Sequence, residues 1–96
     1  MEGSRASLVR TIEVTMHWPL GFHLRPVARF VKYARQFRSA IRIRKGKITA
    51  DGKNILGLLL LAVAWKSKLS IEIEGDDAEQ AVEGIKDFFS TPQKDN

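Results

Sequence analysis

Two histidines and one arginine carry most of the chemistry this chain offers. His23 stands in Gly21-Phe22-His23-Leu24-Arg25-Pro26, and the only other histidine is His17. An unprotonated imidazole nitrogen is a competent nucleophile near neutral pH. Arg25 adds a planar guanidinium that suits phosphate oxygens, in charge-assisted contacts. Pro26 is tolerable in a helix only in the first turn, where no intrahelical N–H bond is lost. That places a helix start at His23–Leu24. At such an end the first amides lack helical partners, and the dipole favours an anion. A phosphoryl group on the His23 ring would lie against the backbone N–H groups of Leu24 and Arg25.

The competing readings of these residues are plainer. An isolated histidine is usually structural or merely exposed; its position at a helix mouth is what raises His23 above that. His17, ahead of Trp18-Pro19, has no neighbouring cluster and reads as a loop residue. Two histidines with no third ligand at a suitable spacing predict no metal site. No cofactor motif is present: there is no Walker loop and no G-x-G-x-x-G, and no Ser/His/Asp arrangement can be defended. A nucleophile with an anion pocket and little other machinery predicts a carrier, not an enzyme, whose partners supply the remaining groups.

The elements that must position His23 follow from periodicity. Leu8 to Met16 alternates, with Ile12, Val14 and Met16 on one face, which predicts a strand; His17 to Gly21 breaks it as a loop. Val27, Phe30, Val31 and Ala34 then form one helical stripe ending near Gln36. Ile41 and Ile43 alternate with Arg42 and Arg44, and a glycine turn at Gly46 leads into a shorter strand, a hairpin. Asn54 can cap a helix from Ile55 to about Ala64, with Leu58, Leu61, Ala62 and Trp65 facing the core. That leaves Ile55, Leu56 and Leu59 without an inward place. They are either core under a neighbouring loop or an apolar docking patch for partners. Leu69, Ile71 and Ile73 make a fourth strand. Asp76 and Glu79 have capping-box spacing ahead of a last helix striped by Ala78, Ala81, Val82, Ile85 and Phe89. The order β-α-β-β-α-β-α, with alternation in every strand, predicts an α+β fold. Three helices cover one face of a four-stranded sheet and leave the other wet.

Composition bounds the rest. At 96 residues, 44% hydrophobic and 28% charged, the chain is expected to form one globular domain over residues 8–90, with flexible tails at 1–7 and 91–96. It has no cysteine, which excludes disulfides and thiol chemistry and suits a reducing cytoplasm. No signal-like apolar core precedes Leu8, and the longest apolar run, Ile55–Trp65, has 11 residues where a span needs about 20. A soluble, cytoplasmic protein without membrane insertion is expected. Residues 1–71 carry a net charge of +11 and residues 72–96 a net charge of −6. The basic body favours acidic partners. A small RNA-binding domain is the reading of another class. Single-strand binding uses aromatics on an open sheet face, and the predicted wet positions Thr11, Glu13, Arg42, Arg44, Ser70 and Glu72 include none.

From about Leu8 to Phe89 the chain resembles the HPr family, the histidine-containing phosphocarriers of the bacterial phosphoenolpyruvate-dependent phosphotransferase system. Gly21-Phe22-His23-Leu24-Arg25-Pro26 fits the family's G-[apolar]-H-x-R-P site, and Lys53-Asn54-Ile55-Leu56-Gly57-Leu58 fits the segment that opens its second helix. The resemblance implies the open-faced sandwich just described. It implies that His23 accepts a phosphoryl group on Nδ1 from phospho-enzyme I, charged from phosphoenolpyruvate, with Arg25 as the site's arginine. The group would pass to a histidine of an EIIA-type acceptor in sugar uptake, or to other acceptors in a regulatory or nitrogen branch. Ile55, Leu56 and Leu59 would contact both partners in transient complexes of a monomer. Many members of Gram-positive type carry a regulatory serine where this chain has Asn54, so serine control at that position is expected to be absent.

Overall fold

Alternation decides which face of the sheet is dry. In the computed structural model, which describes residues 8–93, the strands are β1 (Leu8–Thr15), β2 (Ala40–Lys45), β3 (Ile48–Asp51) and β4 (Lys68–Gly75). They form one antiparallel sheet in the order β1-β4-β2-β3. Register sets Ile43 opposite Ile71 and Ile41 opposite Ile73, so the buried positions of the two central strands meet on one face. Thr11, Arg42, Arg44, Thr49, Ser70 and Glu72 line a shallow depression on the other face. There Arg42 is held by Glu72 and Glu74, each at 2.7 Å.

Helices α1 (Leu24–Ala34), α2 (Ile55–Leu60) and α3 (Ala78–Ser90) cover the dry face. The stripes of α1 and α3 are buried as the period requires. Trp18, Phe22, Phe30 and Phe89 pack between them, with Trp18 stacked on Phe89 at 5.5 Å between ring centres. The loop before α1 is fastened to the end of α3. The His17 ring Nε2 lies 2.6 Å from the Phe89 carbonyl oxygen, and Trp18 Nε1 donates to that of Thr91 at 3.1 Å. Arg29 donates to Gln93. The first residues of the tail expected at 91–96 are therefore bonded to the body as far as Gln93; residues 94–96 and the tail expected at 1–7 lie outside the described residues. Among those residues, no helix is long and apolar enough to cross a membrane.

Two local expectations are corrected. The second helix ends at Leu60, not Ala64, and Ala62 and Trp65 face solvent while Val63 is buried. Ala62 takes a left-handed conformation (φ 52°) just past the C-cap Leu61, a place glycine commonly fills. With an alanine there, the stop carries no compositional signal. At α3 the N-cap is Asp77, so the Asp76/Glu79 capping box does not form. The Asp77 carboxylate instead accepts from the backbone N–H of Arg38 (2.8 Å), the N–H of Ser39 (2.9 Å) and the buried Ser39 hydroxyl (2.5 Å).

That clamp joins the start of α3 to the entry of β2. The Ser39 hydroxyl bond, then the two amides, hold the Asp77 carboxyl below its ordinary value. A depressed folded-state pKa adds stability above the unfolded-state value, and that part is lost as pH falls through the folded one. Asp77→Ala is expected to cost about 2 kcal/mol near neutral pH, because it strands a buried hydroxyl and an amide. In urea unfolding followed across pH, the gap between wild type and variant should narrow below about pH 4. A gap independent of pH would show that the charge contributes nothing.

Candidate functional site

His23 is the N-cap of α1, with extended backbone (φ −99°, ψ −174°), and its carbonyl receives the first helical bond, from Val27 N–H at 2.9 Å. Pro26 is buried inside the first turn, as its missing N–H allows. The His23 ring makes no capping bond to its own helix. Leu24 and Arg25 therefore occupy the first helical positions, ahead of the first ladder donor, where N–H groups point out of the helix. Arg25 is exposed, and the exposed Arg29, Lys32 and Arg35 continue a basic surface along α1.

Two loops meet at the histidine. Gly21 has φ +74°, and its N–H closes a turn onto Trp18 O at 2.9 Å. Phe22 is buried, and its N–H donates to Val63 O at 2.9 Å. Between that bond and the helix mouth, His23 is half-buried in a depression lined by Leu20, Phe22, Leu24, Leu59, Ala62, Val63 and Ala64. An imidazole held here opens to solvent on one side and meets apolar side chains on the other, so a partner can approach the ring and exclude water around it.

Of the surplus aliphatics, Leu56 is 65% exposed and Ile55 is exposed at its edge, while Leu59 is half-buried against the core and faces the depression with His23. Sequence reasoning missed Leu60, which at 72% is the most exposed large apolar side chain described, and also Leu20 and Leu24. Leu60 falls on no outward patch of a helix drawn to Ala64, and the motif around Leu24 points only to its backbone N–H. Of these residues Leu20, Leu24 and Leu59 line the depression with the histidine, and the basic face of α1 begins at Arg25 beside it. Asn54 caps α2 as expected, its Oδ1 accepting from Gly57 N–H at 2.9 Å. Among the described residues no cluster of three His, Asp or Glu side chains could hold a metal.

A family model described as the PTS HPr component phosphorylation site matches residues 10–91. The phosphocarrier protein HPr of Lysinibacillus sphaericus is 38% identical over 77 residues, which is 80% of this chain and 88% of that protein. That of Haemophilus influenzae is 41% identical over 71 residues, 74% of this chain and 84% of its own length. Among solved structures, the HPr of Bacillus anthracis superposes with a TM-score of 0.79 at 34% identity, covering 83% of this chain and 95% of the other.

Proposed function

The chain belongs to the HPr family of phosphocarriers, proteins that carry a phosphoryl group and are not themselves enzymes, and on that premise we propose that His23 is the carrying residue. The observation that carries the proposal is the position of the imidazole at the N-cap of α1, half-buried beside the first-turn amides of the helix. An imidazole nitrogen of His23 attacks phosphorus; the N–P bond forms as the bond from phosphorus to the donor breaks, its electron pair leaving with the donor. The charge on the equatorial oxygens meets the first-turn N–H groups of Leu24 and Arg25 and the Arg25 guanidinium. We assign phospho-enzyme I as donor and an EIIA-type domain as acceptor in sugar uptake, both in transient complexes with a monomer in the cytoplasm. A single domain over residues 8–90 serves this role.

The test is incubation with phosphoenolpyruvate and enzyme I. One acid-labile, base-stable phosphate per chain is the expected product, since an N–P bond hydrolyses in acid and survives base. No label, or an acid-stable ester, sinks the reading.

Two further outcomes follow from the site. Arg25→Ala should slow transfer about tenfold to a hundredfold without abolishing labelling at long times, because the backbone donors remain. Complete loss at long times would show that the guanidinium is indispensable. Leu56→Glu should raise the KM for enzyme I about tenfold or more with unfolding stability nearly unchanged, since the side chain is mostly in water already. A destabilised Leu56→Glu would make that position part of the core.

A further inference from the structure

The loop that runs from the end of α2 to β4 is bonded by its backbone to the loop that carries His23. Phe22 N–H donates to Val63 O (2.9 Å), Lys66 N–H to Met16 O (2.7 Å) and Met16 N–H to Ser67 O (2.8 Å). Within this same stretch two non-glycine residues, Ala62 (φ 52°) and Lys66 (φ 71°), sit in the left-handed region that L side chains disfavour. Such strain persists only where the surroundings over-determine it. At Lys66 the surroundings are the two bonds to Met16. At Ala62 they include a side chain from the strand beside β4: Lys45, the last residue of β2, donates from Nζ to the Ala62 carbonyl at 2.8 Å. Lys45 is half-buried, so its stem is held as well as its charge.

We propose that Lys45 is a positioning residue for phosphoryl transfer at His23, acting through the Ala62 carbonyl and the Val63–Phe22 bond. The inference rests on the phosphocarrier reading above. Lys45 itself does not line the depression around the histidine; Ala62, Val63 and Ala64 do. Without the ammonium, the Ala62 peptide loses a charge-assisted bond and turns toward an ordinary conformation. The next carbonyl, Val63 O, moves with it, and the Phe22 N–H that it receives lies one residue before His23. There is little slack in this chain of contacts, because Gly21 already lies against the backbone of Val63 and Ala64. A nucleophile displaced by a fraction of an ångström loses rate even when every reacting group is still present.

The experiment compares Lys45→Met, which keeps the stem and removes the donors, with Lys45→Arg, which restores a donor. Three readouts are taken: the NMR signals of the Phe22 amide and the His23 ring, the steady-state kinetics of transfer from phospho-enzyme I, and thermal unfolding. Lys45→Met is expected to move both NMR signals and to lower the rate at saturating donor about tenfold, with KM little changed. Lys45→Arg should return all of these toward wild type. If Lys45→Met does not fold, Lys45→Gln, whose stem is too short for the contact, gives the same comparison. Unmoved signals, a wild-type rate, a loss confined to KM, or no rescue by arginine would overturn the proposal. A wild-type chain that takes no label would instead sink the phosphocarrier reading, and the NMR comparison would still decide whether Lys45 reaches His23.

Discussion

His23→Ala is expected to take no phosphoryl label from phosphoenolpyruvate and enzyme I, and His17→Ala a full one. This is the largest effect expected of any single change, because in the proposed function it removes the atom that would form the bond and not a group that assists. The rate should fall by at least about a thousandfold, to the limit of detection. His17 is the natural control, being the only other imidazole in the chain. Its Nε2 sits 2.6 Å from the Phe89 carbonyl oxygen, and its ring packs edge-on to Trp18 at 6.3 Å, so it serves the junction between α1's leading loop and α3. It stands at no helix N-terminus and has no arginine two residues on. His17→Ala is expected to lose about 1 kcal/mol of stability with that contact. Label that survives His23→Ala, or vanishes in a folded His17→Ala, would reverse the assignment.

The exposure of His23 makes this test clean. The residue is half-buried and outside the core cluster, so alanine opens no cavity of consequence and the variant should fold. Circular dichroism and unfolding indistinguishable from wild type, with no label, would separate chemistry from stability. The same separation is not available at Phe22 or Pro26, both buried beside it.

What was legible in the sequence, and what was not, divides along one physical line. Pro26 marked the start of α1 because its covalent geometry allows only the first turn. The two-residue period marked all four strands, because burial on one face of a sheet leaves no other arrangement. The aliphatic surplus on α2 was visible because a helix has only one inward stripe. By contrast, the end of α2 was invisible. Apart from Gly57 and the β-branched Ile55 and Val63, residues 55–64 are good helix formers, and what stops the helix is tertiary: the Val63 carbonyl is needed by Phe22, the Ala62 carbonyl is held by Lys45, and the backbone at 66–67 pairs with Met16. The failed capping box is of the same kind. Asp77 was free by local rules to be ordinary, and it is claimed by Arg38 and Ser39 from 39 and 38 residues away. Partners distant in sequence leave no periodic trace, and the alanine at position 62 stands where a glycine would have left one.

Gly21→Ala is the second large effect, and its expected cost exceeds what backbone conformation alone imposes. Two glycines share a left-handed backbone here: Gly21 at φ +74° and Gly46 at φ +61°. At Gly46, in the β2–β3 turn, an added methyl would meet nothing within 4 Å. Gly46→Ala therefore measures the conformational term by itself, about 1 kcal/mol. At Gly21 the same methyl would run into the Val63 carbonyl oxygen and press on Ala64 Cα at 3.1 Å. Both neighbours are backbone and cannot rotate away as a side chain would. One of the two loops must withdraw, and the Phe22–Val63 hydrogen bond is the contact that parts. Gly21→Ala should then lose about 3 kcal/mol in urea unfolding, the conformational term plus a buried amide left unmatched. It should also slow labelling of His23 about tenfold to a hundredfold, since the residue that moves precedes the nucleophile by two. Gly46→Ala should label at the wild-type rate. Equal stability losses in the two variants would mean that the loops do not touch, and a slow Gly46→Ala would mean that lost stability, not displacement of His23, limits transfer.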